Sequence, residues 1–424
     1  MISIELPYGK SKVDFMVPKS RLTGILNSQL NKYKPPLDDS QLVRKAMENP
    51  IGTKKLEELA VDKNNIVIIA SDHTRPVPSK AIIPLMLEAI RKGNPNANIT
   101  ILIATGCHRS TTTEELVAKF GEDIVKSEKI AIHDCDDREA LIEIGTLPSG
   151  GRLTINRLAA EADLLLAEGF IEPHFFAGYS GGGKCILPGI ASRESVMVNH
   201  CSEFISDKKS RTGILEGNPI RHDIDWACCR ANLAYIVNVV LNSEKEIVYA
   251  VAGDPIEAHR AGCSFLDNLC RVDRVESDIV VTTNGGYPLD QNIYQAVKGM
   301  TAAEATVRQD GVIIMLAESR DGHGGESFCR EVMQSSDPEE LEKLFIARCR
   351  VKTVPDQWQA QIFARILKKA RIIYVSEAED ELVRNLHMEP AHSLEEAMKK
   401  AEMILNNPEA KVAVIPDGVS VIVV

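Results

Sequence analysis

Residues 66–70 (IVIIA) are followed directly by the polar loop 71–76 (SDHTRP), and this order of apolar run and polar loop recurs along the chain. Further apolar runs lie at 99–105 (ITILIAT), 130–135 (IAIHDC) and 162–169 (ADLLLAEG), with helical patterns between them. Continuous apolar runs without polar alternation are typical of strands buried on both faces of a parallel sheet. The sequence therefore predicts an α/β fold with helices flanking a mostly parallel sheet.

The alternation of apolar runs and helical patterns begins again after Arg271, which predicts a second α/β domain. Apolar runs at 277–286, 311–318 and 371–377 alternate with helical patterns at 289–307, 337–348, 357–369 and 393–405. We place the boundary near residue 272, so that the domains are 1–272 and 273–424. Residues 234–253 predict a hairpin with its turn at 242–245, and Asp417-Gly418 predicts another near the end. We expect residues 410–424 to pack back on the first domain.

Composition restricts the function classes. The chain has 424 residues and a formal net charge of −11, which argues against nucleic acid and anionic membranes as partners. No run approaches the ~18 apolar residues of a membrane span, and residues 1–15 lack the pattern of a signal peptide. The ten cysteines include no C-x-x-C pair, so we expect reduced thiols, no cysteine-rich metal site and a cytoplasmic protein.

Polar clusters follow several predicted strands, on the carboxyl side where open α/β sheets bind ligands. The clusters are 71–76 (SDHTRP), 105–109 (TGCHR), His174, 284–287 (NGGY) and 321–325 (DGHGG). Thr112 and Glu115 have the spacing of a capping box, which predicts a helix starting just after the second cluster. Because the clusters come from both predicted domains, we expect an active site in the interdomain cleft.

The segment 168–201 (EGFIEPHFFAGYSGGGKCILPGIASRESVMVNHC) holds Lys184, His174 and His200 among six glycines. Glycine permits φ > 0 and a close approach of the backbone to a bound molecule. Ordering such a segment costs entropy that its own apolar burial does not offset, which favours a ligand-binding loop. A histidine on a loop usually makes only a surface hydrogen bond, but three histidines around one glycine-rich segment favour a function.

The stretch 178–184 also fits G-x-x-x-x-G-K, the phosphate-binding loop of nucleotide hydrolases. That alternative predicts a nucleotide-dependent phosphoryl transferase. Cys185 stands where Ser or Thr should hold Mg²⁺, and 186–190 (ILPGI) cannot continue as the required helix. A third possibility, without catalysis, is a two-lobed small-molecule binder.

Six motifs together resemble the nickel-pincer-nucleotide-dependent lactate racemase family. They are 71–78 (SDHTRPVP), 104–112 (ATGCHRSTT), 168–190 (EGFIEPHFFAGYSGGGKCILPGI), 199–200 (NH), 284–300 (NGGYPLDQNIYQAVKGM) and 321–326 (DGHGGE). The resemblance runs from near the start to the closing PDG segment. It implies two α/β domains and an isomerase that interconverts D- and L-lactate, the alternative being a racemase or epimerase of another short 2-hydroxy acid.

The resemblance also implies a cofactor, the nickel pincer nucleotide (pyridinium-3-thioamide-5-thiocarboxylic acid mononucleotide with Ni(II)). It would be covalently attached to Lys184 and made by separate maturation proteins, with His200 as the nitrogen ligand of nickel. One imidazole beside soft sulfur donors suits square-planar Ni(II). A desolvated lysine can act as a nucleophile, which agrees with attachment there.

The family's reaction moves the C2 hydride of lactate to the cofactor and passes through pyruvate. Imidazoles can both accept and return the hydroxyl proton near neutral pH, and His108 and His174 resemble the acid/base pair. The remaining roles implied are substrate binding by Arg75, Gln295, Lys298 and Trp358, and cofactor contact by Asp72, Arg75 and Tyr294. One departure is Gly183, because relatives often carry Arg immediately before the cofactor lysine.

Overall fold

The computed structural model describes every residue from Met1 to Val424, and the chain divides into two compact units. The first unit comprises Leu30–Asn199 and Lys208–Asn268. The second unit comprises Met1–Gln29, His200–Asp207 and Leu269–Val424. The main division lies four residues before the predicted boundary near 272, and two short segments of the predicted first domain belong to the second unit. Residues 410–424 also lie in the second unit.

Strands and helices alternate through most of both units. The strands are β1 (Ile2–Tyr8), β2 (Ser11–Val17), β3 (Leu22–Ile25), β4 (Asn65–Ser71), β5 (Asn98–Ala104), β6 (Lys129–Ile132), β7 (Leu141–Thr146), β8 (Arg152–Asn156), β9 (Leu164–Phe170), β10 (Pro173–His174), β11 (Gly178–Tyr179), β12 (Leu233–Leu241), β13 (Ile247–Gly253), β14 (Arg271–Val272), β15 (Ser277–Thr283), β16 (Val307–Leu316), β17 (Ala370–Val375), β18 (Glu389–Ala391), β19 (Val412–Ile415) and β20 (Ile422–Val423).

The helices are α1 (Asp39–Glu48), α2 (Leu56–Leu59), α3 (Ser79–Gly93), α4 (Thr113–Phe120), α5 (Glu122–Ser127), α6 (Arg157–Ala160), α7 (Arg193–Asn199), α8 (Ser202–Ser206), α9 (Pro219–Arg230), α10 (Glu257–Cys270), α11 (Ile293–Thr306), α12 (Glu326–Val332), α13 (Pro338–Ala347), α14 (Gln357–Lys369), α15 (Asp380–Asn385) and α16 (Leu394–Leu405). Short 3-10 helices lie at Leu30–Lys32, Gly182–Cys185 and Arg350–Lys352. No helix combines the length and the apolar character that crossing a membrane requires.

The first unit is built on a six-stranded sheet with the order β13-β12-β9-β4-β5-β6. All neighbours are parallel except β12 and β13, which form the predicted hairpin. Residues 66–70 are at most 4% exposed, so the central strand β4 is buried on both faces as predicted. Side chains from α1, α3 and α4 fill one face of this sheet with a continuous apolar core.

The second unit contains a six-stranded sheet, β18-β17-β16-β15-β19-β3, in which every neighbouring pair is parallel. The antiparallel pair β1 and β2 packs on this sheet through Ile4, Leu6, Phe15 and Val17. The two units therefore confirm the predicted α/β class with parallel-dominated sheets.

The hairpin predicted at Asp417-Gly418 is wrong. Strand β19 is buried along its whole length and lies between β15 and β3 in the sheet, whereas β20 pairs with β14. Gly418 lies against α11, where an added Cβ would be 2.5 Å from the carbonyl oxygen of Gly299. The turn is thus held at the carboxyl end of β15 by packing that a local turn signal does not report.

Candidate functional site

The loop between β4 and α3 carries Asp72, Thr74 and Arg75 and is joined to His108 from the loop after β5. Asp72 Oδ2 lies 2.7 Å from His108 Nδ1, and Oδ1 accepts hydrogen bonds from Thr74 N and Oγ1. Arg75 Nη1 donates to Thr74 Oγ1 at 3.0 Å. An ionised Asp72 accepts the Nδ1–H of His108. The other ring nitrogen, Nε2, is therefore left to exchange protons with a substrate.

The Asp72 carboxyl is 1% exposed, yet it favours the ionised form. Burial by itself would raise its pKa, but hydrogen bonds from His108 and Thr74 and the positive charges of His108 and Arg75 lower it to about 2. The side chain of His108 is 44% exposed, in contrast to its buried partner. Asp72 thus serves as a fixed anion that orients an accessible imidazole.

A second cluster joins His174, the last residue of β10, to Lys184 in the 3-10 helix that follows β11. Lys184 Nζ lies 3.1 Å from His174 Nε2, and His174 Nδ1 accepts the N–H of Ala177 at 3.2 Å. A neutral imidazole that accepts at Nδ1 carries its proton on Nε2. This proton can be shared with Lys184 only when the amine is uncharged, which is the form that acts as a nucleophile.

The three glycines before Lys184 are required by close contacts with other parts of the protein. Gly181 and Gly182 have φ of +75° and +56°, which L-residues with a side chain rarely adopt. An added Cβ at Gly182 would be 2.7 Å from the ring of His259, and one at Gly183 would be 2.9 Å from both Cβ of Cys228 and the carbonyl oxygen of Ile224. The predicted positive φ is confirmed at Gly181 and Gly182, and the absence of a side chain at these glycines is explained by packing against the protein itself.

The packing also explains the departure at Gly183. This residue faces α9, and its surroundings leave no space for the arginine that relatives often carry there. The segment ends in a 3-10 helix of four residues, and the next helix begins only at Arg193. A phosphate-binding loop requires a longer helix immediately after its lysine, so the local structure does not favour that alternative.

Several residues that sequence reasoning missed hold this segment in place. Asn218 donates a hydrogen bond to Phe176 O, and Arg221 donates to Ala177 O and Tyr179 O. Asn238 accepts a hydrogen bond from Gly182 N. His259 Nε2 lies 2.8 Å from Ser180 O. Only Asn238 leaves a visible signal, a polar residue in the middle of an apolar strand. Arg221 and His259 were assigned no role, although both are at most 3% exposed.

Burial lowers the pKa of His259 to about 3, and the nearby charges of Arg221 and Arg260 act in the same direction. The hydrogen bond with the Ser180 carbonyl opposes this shift. A neutral imidazole with its proton on Nε2 donates to that carbonyl. His259 thus supports the glycine segment as an uncharged residue near neutral pH.

In the second unit, His200 lies beside Trp358 from α14. The two ring centroids are 4.9 Å apart in an edge-to-face arrangement, and His200 is 5% exposed. Gln361 Nε2 donates to Ser202 O and Ser206 Oγ, so α14 also holds the helix that follows His200. His200 is therefore a buried imidazole on a segment that α14 holds in place. The sequence predicted this residue in the first domain, whereas it lies in the second unit.

Tyr294, Gln295 and Lys298 lie in the first two turns of α11, also in the second unit. Asn292 caps this helix by accepting the N–H of Gln295 at 2.9 Å. The loop that contains His323 is joined to the helix start, because His323 O accepts the N–H of Tyr294. Gln295 Oε1 is buried and has no hydrogen-bond partner, which leaves an acceptor for a hydroxyl or amine of a bound molecule.

These observations fit the implied cofactor in two respects. Lys184 has an imidazole nitrogen within 3.1 Å that can share a proton with an uncharged amine, and His200 offers a buried imidazole. Gln295 keeps an unused acceptor, which agrees with its predicted contact with the substrate. A separate candidate metal group, Asp134, Cys135 and Asp136, places one ligand atom from each residue within 4.8 Å. Its Asp136 is already paired with Arg193 at 2.7 Å, and none of its residues belongs to the predicted site.

Comparison with known proteins defines the class of this protein. The family model for the lactate racemase N-terminal domain matches residues 8–213, and the model for the lactate racemase C-terminal domain matches residues 272–423. Both models describe parts of one kind of isomerase. The chain is therefore an enzyme of the isomerase class.

Full-length relatives identify the family. The chain is 56% identical to the lactate racemase of Thermoanaerobacterium thermosaccharolyticum, covering all of this chain and 99% of that protein. It is 53% identical to the lactate racemase of Lactiplantibacillus plantarum, with complete coverage of both. The chain belongs to the lactate racemase family.

Solved structures agree with this assignment. The lactate racemase apoprotein from T. thermosaccharolyticum superposes with a TM-score of 0.97 at 55% identity, over all of both chains. A protein from Thermotoga maritima has a TM-score of 0.66 at 18% identity, over 92% of this chain and all of that one. The similarity to the T. maritima protein shows a shared fold and nothing about function.

Proposed function

We propose that this enzyme is a lactate racemase that interconverts D- and L-lactate with a nickel pincer nucleotide attached to Lys184. The observation that carries the proposal is the 56% identity with a lactate racemase over the full length. The contact between His174 and Lys184 adds support from the site itself, because it places an imidazole where it can share a proton with an uncharged, nucleophilic lysine.

Lys184 would hold the cofactor covalently, and His200 would bind its nickel through an imidazole nitrogen. Asp72, Arg75 and Tyr294 would contact the rest of the cofactor. When bound, the cofactor supplies a hydride acceptor for C2 of lactate, so that pyruvate is the intermediate. Proteins that mature the cofactor would be partners of this chain, and we place the enzyme in the cytoplasm.

His108 and His174 would act as the acid/base pair. Racemisation needs a base for each enantiomer, because the hydroxyl proton must be taken up and returned for both. Asp72 holds the proton of neutral His108 on Nδ1, and Nε2 then takes the hydroxyl proton. Arg75, Gln295 and Lys298 would hold the carboxylate of lactate and polarise its oxygen, with Trp358 lining the pocket.

The proposal is tested on protein produced together with the maturation proteins. We expect intact-mass spectrometry to show an adduct on Lys184, metal analysis to show nickel, and polarimetry to show interconversion of the lactate enantiomers. Activity on another 2-hydroxy acid but not on lactate would support the proposed reaction but would show that lactate is not the substrate. Fully active protein with an unmodified lysine or without nickel would refute the proposal.

The paired histidines are tested by His108→Ala and His174→Ala, each of which we expect to abolish racemisation. Because His174 also contacts Lys184, the mass of each variant must first show normal cofactor loading. His392→Ala is the control, since the exposed side chain of this histidine pairs with Asp380 at the surface. Full activity in either test variant would contradict the assignment.

A further inference from the structure

A single buried carboxylate oxygen anchors both ends of the loop that carries Asp72 and Arg75. Glu168 Oε1 accepts hydrogen bonds from Ser71 N at 3.2 Å, from Ser71 Oγ at 3.1 Å and from Ser79 Oγ at 2.8 Å. Ser71 is the last residue of β4, and Ser79 is the first residue of α3. Glu168 lies near the end of β9, which neighbours β4 in the sheet. The two ends of the loop therefore converge on one atom.

The surroundings of Glu168 make this anchor rigid. Glu168 is 2% exposed and Ser79 is fully buried. On the loop itself, Lys119 Nζ donates to Arg75 O at 3.2 Å and to Val77 O at 3.4 Å. The second oxygen of Glu168, Oε2, is buried and has no hydrogen-bond partner. Only Oε1 therefore carries the interaction with the loop.

The anchored atoms are adjacent to the group that orients His108. Ser71 receives two of the three hydrogen bonds, and the next residue is Asp72, whose Oδ2 lies 2.7 Å from His108 Nδ1. A shift of Ser71 moves the backbone of Asp72 directly, and hydrogen bonds weaken steeply as their geometry departs from linear. The position of Ser71, which Glu168 holds through two hydrogen bonds, thus bears on the contact between Asp72 and His108.

We propose that Glu168 is a positioning residue for the reaction: its Oε1 sets the loop 72–78 so that Asp72 orients His108 and Arg75 faces the substrate carboxylate. The catalytic part of this inference rests on the proposed function. The structural part concerns the loop and the ring of His108 and can be measured on protein without cofactor.

The experiment compares Glu168→Leu, which removes the acceptor, with Glu168→Gln, which keeps an oxygen acceptor but removes the charge. For Glu168→Leu we expect amide hydrogen exchange in residues 72–78 to be at least about tenfold faster, as in a segment that opens locally. The ¹⁵N chemical shifts of the selectively labelled His108 ring should move towards those of an imidazole without a carboxylate partner. In the loaded enzyme kcat should fall by roughly tenfold to a hundredfold.

Glu168→Gln should stay close to wild type in all three measurements, because the amide oxygen can accept the same hydrogen bonds. Glu331→Gln is the matched control, since Glu331 is a buried carboxylate of the second unit that pairs with Arg348 at 2.6 Å. We expect this control to unfold more readily but to keep the exchange of 72–78 and the His108 ring signals. Should Glu168→Leu fail to fold, Ser79→Ala removes the 2.8 Å hydrogen bond and should change both readouts in the same direction.

The inference is overturned if Glu168→Leu leaves loop exchange and the His108 signals as in wild type. It is also overturned if Glu168→Gln is as disruptive as Glu168→Leu, because charge rather than the acceptor would then matter. Failure of the proposed function has a different signature. Wild-type protein would not racemise lactate, while the exchange and ring signals would still respond to Glu168→Leu.

Discussion

Two segments of the first unit carry reactive side chains, and they are held in place by different physical means. The loop after β4, with Asp72, is tied at both ends by hydrogen bonds to Glu168. The segment that leads to Lys184 is held by close packing, in which three glycines face other protein atoms. The first relies on hydrogen bonds to one acceptor oxygen, and the second relies on the absence of side chains.

The difference matches the tasks that we propose for the two segments. A proton-exchanging imidazole needs a defined tautomer, which a hydrogen-bonded carboxylate provides. A lysine that carries a cofactor needs a fixed attachment point, which dense packing provides. Substitutions in the loop after β4 should therefore reduce activity because His108 loses its orientation. Substitutions in the segment that leads to Lys184 should reduce stability or prevent attachment of the cofactor.

The largest effect should come from Lys184→Arg, which removes the nucleophile from the packed segment. A guanidinium stays protonated at neutral pH and cannot form the attachment. We expect no cofactor mass and no racemisation above background in protein made with the maturation proteins. A normal thermal unfolding midpoint would show that only attachment is lost. Retained activity would contradict this comparison, because it would show that the packed segment is not where the cofactor is attached.

The next largest effect should come from Asp72→Asn in the polar loop. An asparagine keeps the size of the side chain but can present its amide to His108 and favour the wrong tautomer. We expect kcat to fall by roughly 10²–10⁴-fold, in the range known for such a change in a catalytic triad. Steady-state racemisation by correctly loaded enzyme measures this effect. Unchanged kcat would mean that the orientation of His108 does not depend on Asp72.

A pH test examines how far the packed segment depends on His259 being uncharged. The folded-state pKa of His259 is about 3, below the ~6.5 of an unfolded histidine, so its contribution to stability is complete above pH ~6.5. This contribution is lost as the pH falls from ~6.5 through 3 and is on the order of 5 kcal/mol in total.

The variant His259→Gln should flatten the dependence of the unfolding free energy on pH within that window, because the titrating ring is gone. Chemical denaturation at several pH values measures the slope. At neutral pH the variant should be less stable by about 1–3 kcal/mol, since the hydrogen bond with Ser180 O and the ring contact with Gly182 change. A slope equal to that of wild type would show that other groups cause the acid sensitivity.

A loss of stability smaller than the total pH-dependent contribution of His259 should follow Gly183→Ala. The added Cβ would clash with Cys228 and the Ile224 carbonyl at 2.9 Å, which should lower the free energy of unfolding by about 1–3 kcal/mol. Gly24→Ala is the control, because its closest neighbour is a side-chain atom of Val275 at 3.3 Å that can move. If both variants lose equally little stability, close packing does not hold the segment.

Sequence patterns predicted the fold where the cause is local. The apolar runs that became β4, β5 and β9 have few alternatives, because a short run with no polar face must be buried on both sides. The capping box of Thr112 and Glu115 is confirmed at the start of α4 for the same reason. The Asp417-Gly418 hairpin failed because a turn signal does not say which strand lies next to β19.

In the candidate site, too, the sequence predicted residue types but not the contacts that the fold creates. Motif resemblance selected His108, His174, Lys184 and His200, and the structure gives each a defined neighbour. The roles of these residues in catalysis stay predictions. Glu168, Arg221 and His259 were not found, because buried polar residues look like any other polar residue until the fold shows what surrounds them.

The sequence by itself determined the order of strands and helices and the chemical groups available, since both depend on residue type and spacing along a short stretch. Only the tertiary structure decided which groups meet. Glu168 lies 97 residues from Ser71, and Asp72 lies 36 residues from His108. Such contacts form because neighbouring parallel strands end at one edge of the sheet, and that adjacency is set by packing of the whole chain.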